Sequence, residues 1–379
     1  MSKEVYITRL SSFLPNEPIA NEDIENVLGL INNQSSKAKP LILRNNQIKK
    51  RYYAIDKNGN TTHTNAALTK AAIEKLFDEN FQLKNVEVLS CGTTSPDQLL
   101  PSHAAMVHGL LGNYPMEINS TTGACSAGIQ AFKFGYLSVL SGATSNAVCV
   151  GSERLSKWML AKYFKEEAEK VVQLEGDGMI AFDKDFLRFM LSDGASAALL
   201  QNKPNENGIS LKVEWVEQRS FAHELPVCMY AGAVKDAQGN FVGWSDMEQE
   251  EWTAQSVFSM KQDTKLLGDF IVNKGGQFLR DLVDTKNIDI DNLTYFLPHL
   301  SSQYFGPRIQ KGLEALGMNI PSSKWFTNLS WVGNVGAASP YLMLEELFHS
   351  GKLKKGDTLL MMIPESARFN YAYISLKVV

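Results

Sequence analysis

Thr121-Thr122-Gly123-Ala124-Cys125-Ser126-Ala127-Gly128 runs directly into the apolar stretch IQAFKFGYLSVL, residues 129–140. Small residues crowd one cysteine at the point where a turn opens into a long apolar helix. A thiol there meets unpaired N–H groups and the positive end of the helix dipole. Both favour the thiolate and predict a lowered pKa. The Cys125 N–H can face a developing oxyanion, and the small neighbours let a substrate and a second stretch of backbone come close. A buried structural cysteine is the ordinary alternative for any single Cys. The flanking pattern favours a nucleophile.

Outward from this point, strand-length apolar runs alternate with helix-length segments. Strands are expected at Val5–Leu10, Val86–Ser90, Met116–Asn119, Ala147–Val150, Phe189–Leu200, Ile209–Val216, Thr294–Leu297, Asp357–Ile363 and Tyr371–Val378. Helices are expected from an Asn21 cap to Leu30, over Asn65–Phe77 and Ser102–Leu111, as one long element from Trp252 to Val283, and over Pro307–Leu316 and Asn334–Phe348. The alternation implies α/β layering with helices packed on sheets. The order of elements repeats, which divides the chain into halves at 1–205 and 206–379. Residues 156–188 and 222–250 fit this rhythm poorly, and long connections of that kind often serve as lids or contact surfaces.

Composition narrows the class. The chain has 379 residues, 44% hydrophobic and 21% charged, with 37 Lys plus Arg against 41 Asp plus Glu for a net charge of −4. That is a folded, globular balance, unlike a disordered or fibrous chain. No basic excess points to nucleic acid or an anionic membrane. No apolar run reaches the roughly 20 residues of a membrane span, and the N-terminal MSKEVYITRL lacks a signal-peptide core. Cys91, Cys125, Cys149 and Cys228 lie far apart with no CxxC, so neither a zinc cluster nor a disulfide scaffold is expected, and a cytoplasmic setting suits them. No phosphate-binding glycine motif is present, and no metal or other cofactor is expected.

Two further residues complete a constellation with Cys125. His299 stands at a strand end in FLPHLSSQYF, behind Pro298. Asn334 stands between glycines in NLSWVGNVGAASP. A capping or core histidine and a helix N-cap are the ordinary readings of each alone. A Cys, a His and an Asn at turns on three elements together suggest an active site.

The pattern resembles the condensing enzymes of the thiolase superfamily, most closely the β-ketoacyl-acyl carrier protein synthase III group. The nucleophile motif is matched by Gly123-Ala124-Cys125-Ser126-Ala127-Gly128. The PHxxN motif is matched at Pro298-His299, and GNxxAAS at Gly333-Asn334-Val335-Gly336-Ala337-Ala338-Ser339. Thr94-Ser95-Pro96-Asp97 with Pro101, Val150-Gly151-Ser152-Glu153 and Ser192-Asp193-Gly194-Ala195 match in family order across nearly the whole chain. The resemblance implies a thiolase-like five-layered αβαβα fold of two similar halves, usually a homodimer. It implies Cys125 as the acyl-accepting nucleophile. His299 and Asn334 would then hold the carbonyl of an extender thioester while its carbanion attacks the acyl group. Acyl thioesters of an acyl carrier protein or coenzyme A would be its substrates.

Departures from the family are informative. His299-Leu300-Ser301-Ser302 replaces the end of PHQAN. The glycine-rich turn that commonly donates an oxyanion-hole N–H is replaced by Ile363-Pro364-Glu365-Ser366-Ala367-Arg368-Phe369. Ser366 or Ala367 would supply that N–H. Glu365 is either an exposed turn residue or a proton acceptor or polar anchor beside the site. Trp158, Met159, Phe164, Met179, Ile180 and Phe182 either line an acyl pocket or serve as ordinary core. The PESARF ending and the insertion resemble ketosynthases of secondary metabolism, such as those forming cyclohexanedione precursors of dialkylresorcinols, for which an aromatase would act downstream. A fatty-acid-initiating synthase III and a type III polyketide synthase are the enzymatic alternatives, and a silent dimer partner is the non-enzymatic one. A degradative thiolase needs a second, late cysteine, and none follows Cys228.

Basic residues form two groups. Lys37, Lys39, Arg44, Lys49, Lys50 and Arg51 cluster near the N-terminus, and Arg308 and Lys311 follow His299. Either group would suit an acidic carrier or a pantetheine phosphate, with a solvated charged face as the ordinary alternative. The Arg308/Lys311 face is favoured because its helix follows the histidine.

Overall fold

The computed structural model describes residues 4–31, 33–164, 185–236 and 238–379. Nine strands form its main sheet: β1 (Tyr6–Phe13), β2 (Val88–Thr93), β3 (Glu117–Thr122), β4 (Asn146–Glu153), β5 (Gly194–Gln201), β6 (Leu211–Ser220), β7 (Tyr295–Pro298), β8 (Thr358–Glu365) and β9 (Asn370–Val378). Their spatial order is β7-β8-β9-β6-β1-β5-β4-β2-β3.

The pairing repeats. From β1 outward, β5 and β4 add antiparallel and β2 and β3 add parallel. From β6 outward, β9 and β8 add antiparallel and β7 adds parallel, followed by a parallel bridge between Phe296 and Trp325. The two series meet where β1 pairs with β6 through Tyr6–Lys212 and Ile7–Leu211.

Six helices cover these strands: α1 (Asn65–Glu74), α2 (His103–Leu111), α3 (Ala127–Ser141), α4 (Thr264–Lys286), α5 (Gly306–Ala315) and α6 (Ser339–His349). Side chains alternate faces along a strand, and the central strands use both faces. On β4, Ala147 and Cys149 join the core around α3 and α6, while Val148 and Val150 pack under α1 and α2. On β8, Leu359, Met361 and Ile363 face α3 and α6, while Leu360 and Met362 face α4 and α5. The layers therefore run helix, sheet, helix, sheet, helix. This is the αβαβα arrangement expected of a thiolase-like fold. Strands buried on both faces read as continuous apolar runs, and each fully buried Leu or Ile contributes roughly 1.5–3 kcal/mol.

Several sequence expectations need correction. The long helix expected from Trp252 to Val283 is broken into a short helix at Gln249–Ala254 and α4. Between them Lys261–Gln262 pairs with Met229–Tyr230, and the Asp263 carboxylate accepts from Leu266 N at 2.9 Å to start α4 afresh. Asn21 does not cap a helix. The helix covers Ile24–Leu28, and the Asn21 Oδ1 accepts instead from Arg51 Nη1 at 2.8 Å. Phe189 lies outside β5, in a helical turn whose Phe189 N donates to Asp185 O. The helix expected from Asn334 begins only at Ser339. Trp158, Met159 and Phe164 do not line the central cavity, and Met159 and Phe164 are core. Met179, Ile180 and Phe182 lie outside the described residues. Among the described residues, no helix is long and apolar enough to cross a membrane.

Candidate active site

Cys125 sits between the end of β3 and the start of α3, half-buried. Glycine brings this corner close to the turn that carries Asn334. A Cβ at Gly128 or at Gly151 would stand 2.2 Å from the carbonyl oxygen of Ala337, so backbone itself fills the space a side chain would need. Asn334 is held by its backbone: its N–H donates to Met190 O at 3.0 Å, and its carbonyl accepts from Ser192 N at 2.8 Å. Its Oδ1 accepts from Gly336 N at 3.0 Å, which leaves the amide NH2 as the side chain's donor group. Gly333 makes the preceding bend at φ +79°, where a Cβ would meet Ser192 Cβ at 2.8 Å.

His299 follows β7 and donates its backbone N–H to Met362 O at 2.8 Å. The ring is buried, its Nε2 has no hydrogen-bond partner, and burial pushes its pKa down to about 4. A neutral imidazole keeps one N–H for donation. An orphaned buried ring nitrogen costs stability unless something binds there.

Cys125, His299 and Asn334 line the same narrow cavity, of about 50 Å3. Its wall is mostly apolar, with Leu155, Leu187, Met190 and Leu191 together with Leu267, Ile271, Val272, Phe305, Ile309 and Met362, and Thr94, Gln262, Ser301 and Ser366 add polar groups. Among the described residues, no Lys, Arg, Asp or Glu lines it. Leu155 immediately precedes the insertion singled out in the sequence and Leu187 lies at its far end, so both ends reach the cavity. The apolar lining on α4 and α5 had no sequence signal beyond ordinary helical periodicity.

Glu365 lies directly against the nucleophile turn. Its Oε2 accepts from Ala124 N at 3.3 Å and Ser126 N at 3.1 Å, and from the Ser126 hydroxyl. It is therefore a buried anchor, and it is absent from the cavity wall. Burial raises its pKa, against the pull of these donors. The lowered pKa expected for Cys125 is overturned for the same reason. Burial first, then the Glu365 and Glu153 carboxylates, push the thiol up. The Ala124 and Ser126 N–H groups of the turn that precedes α3 are already bonded to Glu365.

Other expected positions divide. Ser366 lines the cavity, and its hydroxyl accepts from Gln262 Nε2 at 2.9 Å. Ala367 does not line it, and its carbonyl accepts from Cys228 N and Met229 N. Arg308 and Lys311 are exposed on α5, with the Arg308 guanidinium 3.7 Å from the Tyr304 ring centre. The same helix presents Ile309 to the cavity. The N-terminal basic group does not form one surface. Arg51 is fully buried, bonded to Asn21 and Phe189 O, and Lys39 pairs with Glu25 at 2.9 Å.

The matched sequence motifs also brace the site. Glu153 accepts from the Thr94 and Ser95 hydroxyls at 2.6 Å each and from Ala337 N at 3.1 Å, linking three segments around the cavity. Burial raises its pKa to about 6, against those hydrogen bonds. Asp193 likewise accepts from Ala54 N at 2.7 Å and Ser156 N at 2.9 Å.

The chain is similar in sequence and in fold to several known proteins. Residues 283–363 match the family model described as 3-oxoacyl-[acyl-carrier-protein] synthase III C terminal. The chain is 25% identical over 322 residues to a β-ketoacyl-[acyl-carrier-protein] synthase III of Clostridium perfringens, covering 83% of each chain. Its fold is similar to that of AbyA1, a tetronic acid condensing enzyme, at TM-score 0.75 and 18% identity over 98% of this chain and 99% of the other. Xanthomonas campestris OleA with bound lauric acid and lauroyl-CoA gives TM-score 0.74 at 18% identity, with 100% of both chains covered. By these similarities the chain is an acyltransferase-type condensing enzyme with a thiolase-like fold, similar in sequence to β-ketoacyl-[acyl-carrier-protein] synthase III.

Proposed function

We propose that the protein is a ketosynthase that joins two acyl units by Claisen condensation in this cavity. The observation that carries this reading is the convergence of Cys125, His299 and Asn334 on one apolar cavity. In the first half-reaction the Cys125 sulfur attacks a thioester carbonyl. A Cys125 acyl thioester forms, and the carrier thiol leaves with the proton. The Cys125 N–H, with the Ser366 N–H, stabilises the oxyanion. In the second half-reaction a malonyl-type thioester loses CO2, or a β-ketoacyl thioester gives up its acidic α-proton to solvent, to form an enolate. The neutral His299 ring and the Asn334 amide NH2 donate hydrogen bonds to its oxygen. The enolate carbon attacks the acyl carbon, and Cys125 thiolate departs.

The finer assignment is to secondary metabolism of the cyclohexanedione and dialkylresorcinol kind, in which the second substrate is a β-ketoacyl thioester and a ring closes. Its support is the Pro364-Glu365-Ser366 turn in place of a glycine-rich one, together with a mostly apolar cavity wall. In this reading residues 1–205 and 206–379 act as two halves of a homodimer subunit. A carrier protein or coenzyme A meets the Arg308/Lys311 face, and an aromatase consumes the product. The 25%-identical relative named as a synthase III supports a second reading, a linear β-ketoacyl product from acyl and malonyl thioesters. Mass analysis of products from a β-ketoacyl thioester plus an acyl thioester, and from an acyl plus a malonyl thioester, decides. A cyclic product from the first pair supports the finer reading. A linear product from the second pair alone overturns it.

A further inference from the structure

The hairpin of β8 and β9 places Glu365 and Asn370 as cross-strand partners on either side of a tight turn. Both reach the residue after the nucleophile. Asn370 Nδ2 donates to Ser126 Oγ at 2.8 Å, and the Ser126 hydroxyl donates to Glu365 Oε2. The same carboxylate oxygen accepts the Ala124 and Ser126 N–H groups at 3.3 and 3.1 Å. The N–H groups on both sides of Cys125 are thus tied to one buried oxygen.

We propose that Glu365, Ser126 and Asn370 form a positioning relay that fixes the nucleophile turn so that the Cys125 N–H is the donor left for the thioester oxyanion. The inference rests on the ketosynthase reading above and adds three positioning residues to it. The physical reason is preorganisation. An oxyanion donor is effective when it is held at the place where charge develops and needs no reorganisation during reaction. Three donors converging on one buried acceptor hold the backbone of 124–126 more firmly than helix geometry alone, because an unmade bond there would leave buried N–H groups unpaired. Asn370 fixes the direction of the Ser126 hydroxyl, since that oxygen accepts from the amide and must donate onward. The cost of the arrangement is a carboxylate beside the thiol, which disfavours the thiolate. The gain is a fixed oxyanion donor, which matters for acyl transfer and not for simple alkylation.

That difference supplies the test. Acylation of Cys125 by an acyl-coenzyme A passes through an oxyanion, whereas alkylation by iodoacetamide does not. Both rates are measured on the full-length protein for wild type, Glu365→Ala, Ser126→Ala, Asn370→Leu and Glu365→Gln, with folding checked by thermal melts. In Glu365→Ala and Ser126→Ala the acylation rate is expected to fall at least ~10-fold, less than the roughly 100–1,000-fold cost of removing an oxyanion donor outright because the donor is loosened and not lost, while alkylation does not fall. Asn370→Leu is expected to show a smaller drop of the same kind. Glu365→Gln keeps an acceptor oxygen and is expected to restore acylation to within about threefold of wild type. If Glu365→Ala does not fold, the Ser126→Ala and Glu365→Gln pair carries the test unchanged. Parallel losses of acylation and alkylation, or acylation unchanged in every folded variant, overturn the relay. Glu365→Gln as impaired as Glu365→Ala or Ser126→Ala also overturns it, in favour of a role for the negative charge. A wild type that is alkylated but never acylated overturns the ketosynthase reading itself.

Discussion

Glu365 Oε2 and Ser126 lie 239 residues apart in the chain and meet through both the N–H and the hydroxyl of Ser126, immediately after Cys125. A carboxylate is therefore fixed under the turn that positions the thiol. Its consequences for reactivity are measurable.

The first concerns the thiol. With burial and two nearby carboxylates raising its pKa above the ordinary 9.0, Cys125 is uncharged at neutral pH. Its iodoacetamide alkylation rate is expected to keep rising with pH through 9, with no plateau near 7. Removing the charge in Glu365→Gln is expected to move the profile to lower pH. A wild-type plateau below pH 8 would show that the helix N-terminus governs the thiol instead.

A second prediction follows from two buried histidines. His103 and His299 are both held down to about 4 by burial. Because their folded-state pKa lies below the unfolded value near 6.5, the unfolded chain binds more protons between those values. Stability is complete above about pH 6.5 and is lost as pH falls toward 4, by up to about 3 kcal/mol for each ring. Glu153, raised to about 6, acts in the opposite sense, and its contribution is lost as pH rises through that value. Urea unfolding at pH 7 and pH 5 should show a net loss at the lower pH. The loss should shrink in His299→Asn. An unchanged loss in that variant would mean that the ring is solvated.

How much of this was legible beforehand differs by residue. Cys125 in its small-residue turn, His299 behind Pro298, and Asn334 between glycines were each marked by local chain geometry, and the cavity gathers all three. Strand periodicity located the central layers because strands buried on both faces read as continuous apolar runs. The break at Asp263 was hidden because apolar spacing continues across it, and only a side-chain cap and a two-residue pairing reset the helix. Arg51 read as part of a basic surface. Its burial comes from acceptors at Asn21 and Phe189, which the fold supplies from distant positions. Glu365 stood out as a departure from a glycine-rich turn, yet its contact with Ser126 and that of Asn370 depend on tertiary closure alone.

Gly333 gives a third prediction. It sits at φ +79°, and a Cβ there would lie 2.8 Å from Ser192 Cβ and 3.2 Å from Arg51 Cβ. Gly333→Ala is expected to cost about 2 kcal/mol and to shift Asn334 out of reach of the enolate. Condensation should fall more than Cys125 acylation. Equal losses in both half-reactions would contradict a specific effect on Asn334.

The cavity wall gives a fourth. Met362 and Val272 line the cavity beside close helix contacts, where a Cβ at Gly275 would lie 3.0 Å from Met362 Cε and one at Gly312 would lie 2.8 Å from Val272 Cγ1. The surrounding backbone leaves little slack, so side-chain size sets the space. Met362→Ala is expected to favour longer acyl thioesters, and Val272→Phe shorter ones, in competition assays. A chain-length preference unchanged in both would place the acyl group elsewhere.

The α5 face gives a fifth. Charge reversal at Arg308 and Lys311 is expected to raise KM for carrier-bound substrate several-fold at low salt, with little change in kcat, because exposed charges act mainly on encounter. An unchanged KM at low salt would remove this face from carrier docking.

The central claim is that Cys125 carries the acyl group. Intact-protein mass after incubation with a panel of acyl and β-ketoacyl thioesters, with Cys125→Ala in parallel, tests it most directly. The account predicts an added acyl mass on wild type and none on the variant, with the preferred mass identifying the primer. No adduct from any thioester, or the same adduct on Cys125→Ala, would contradict it.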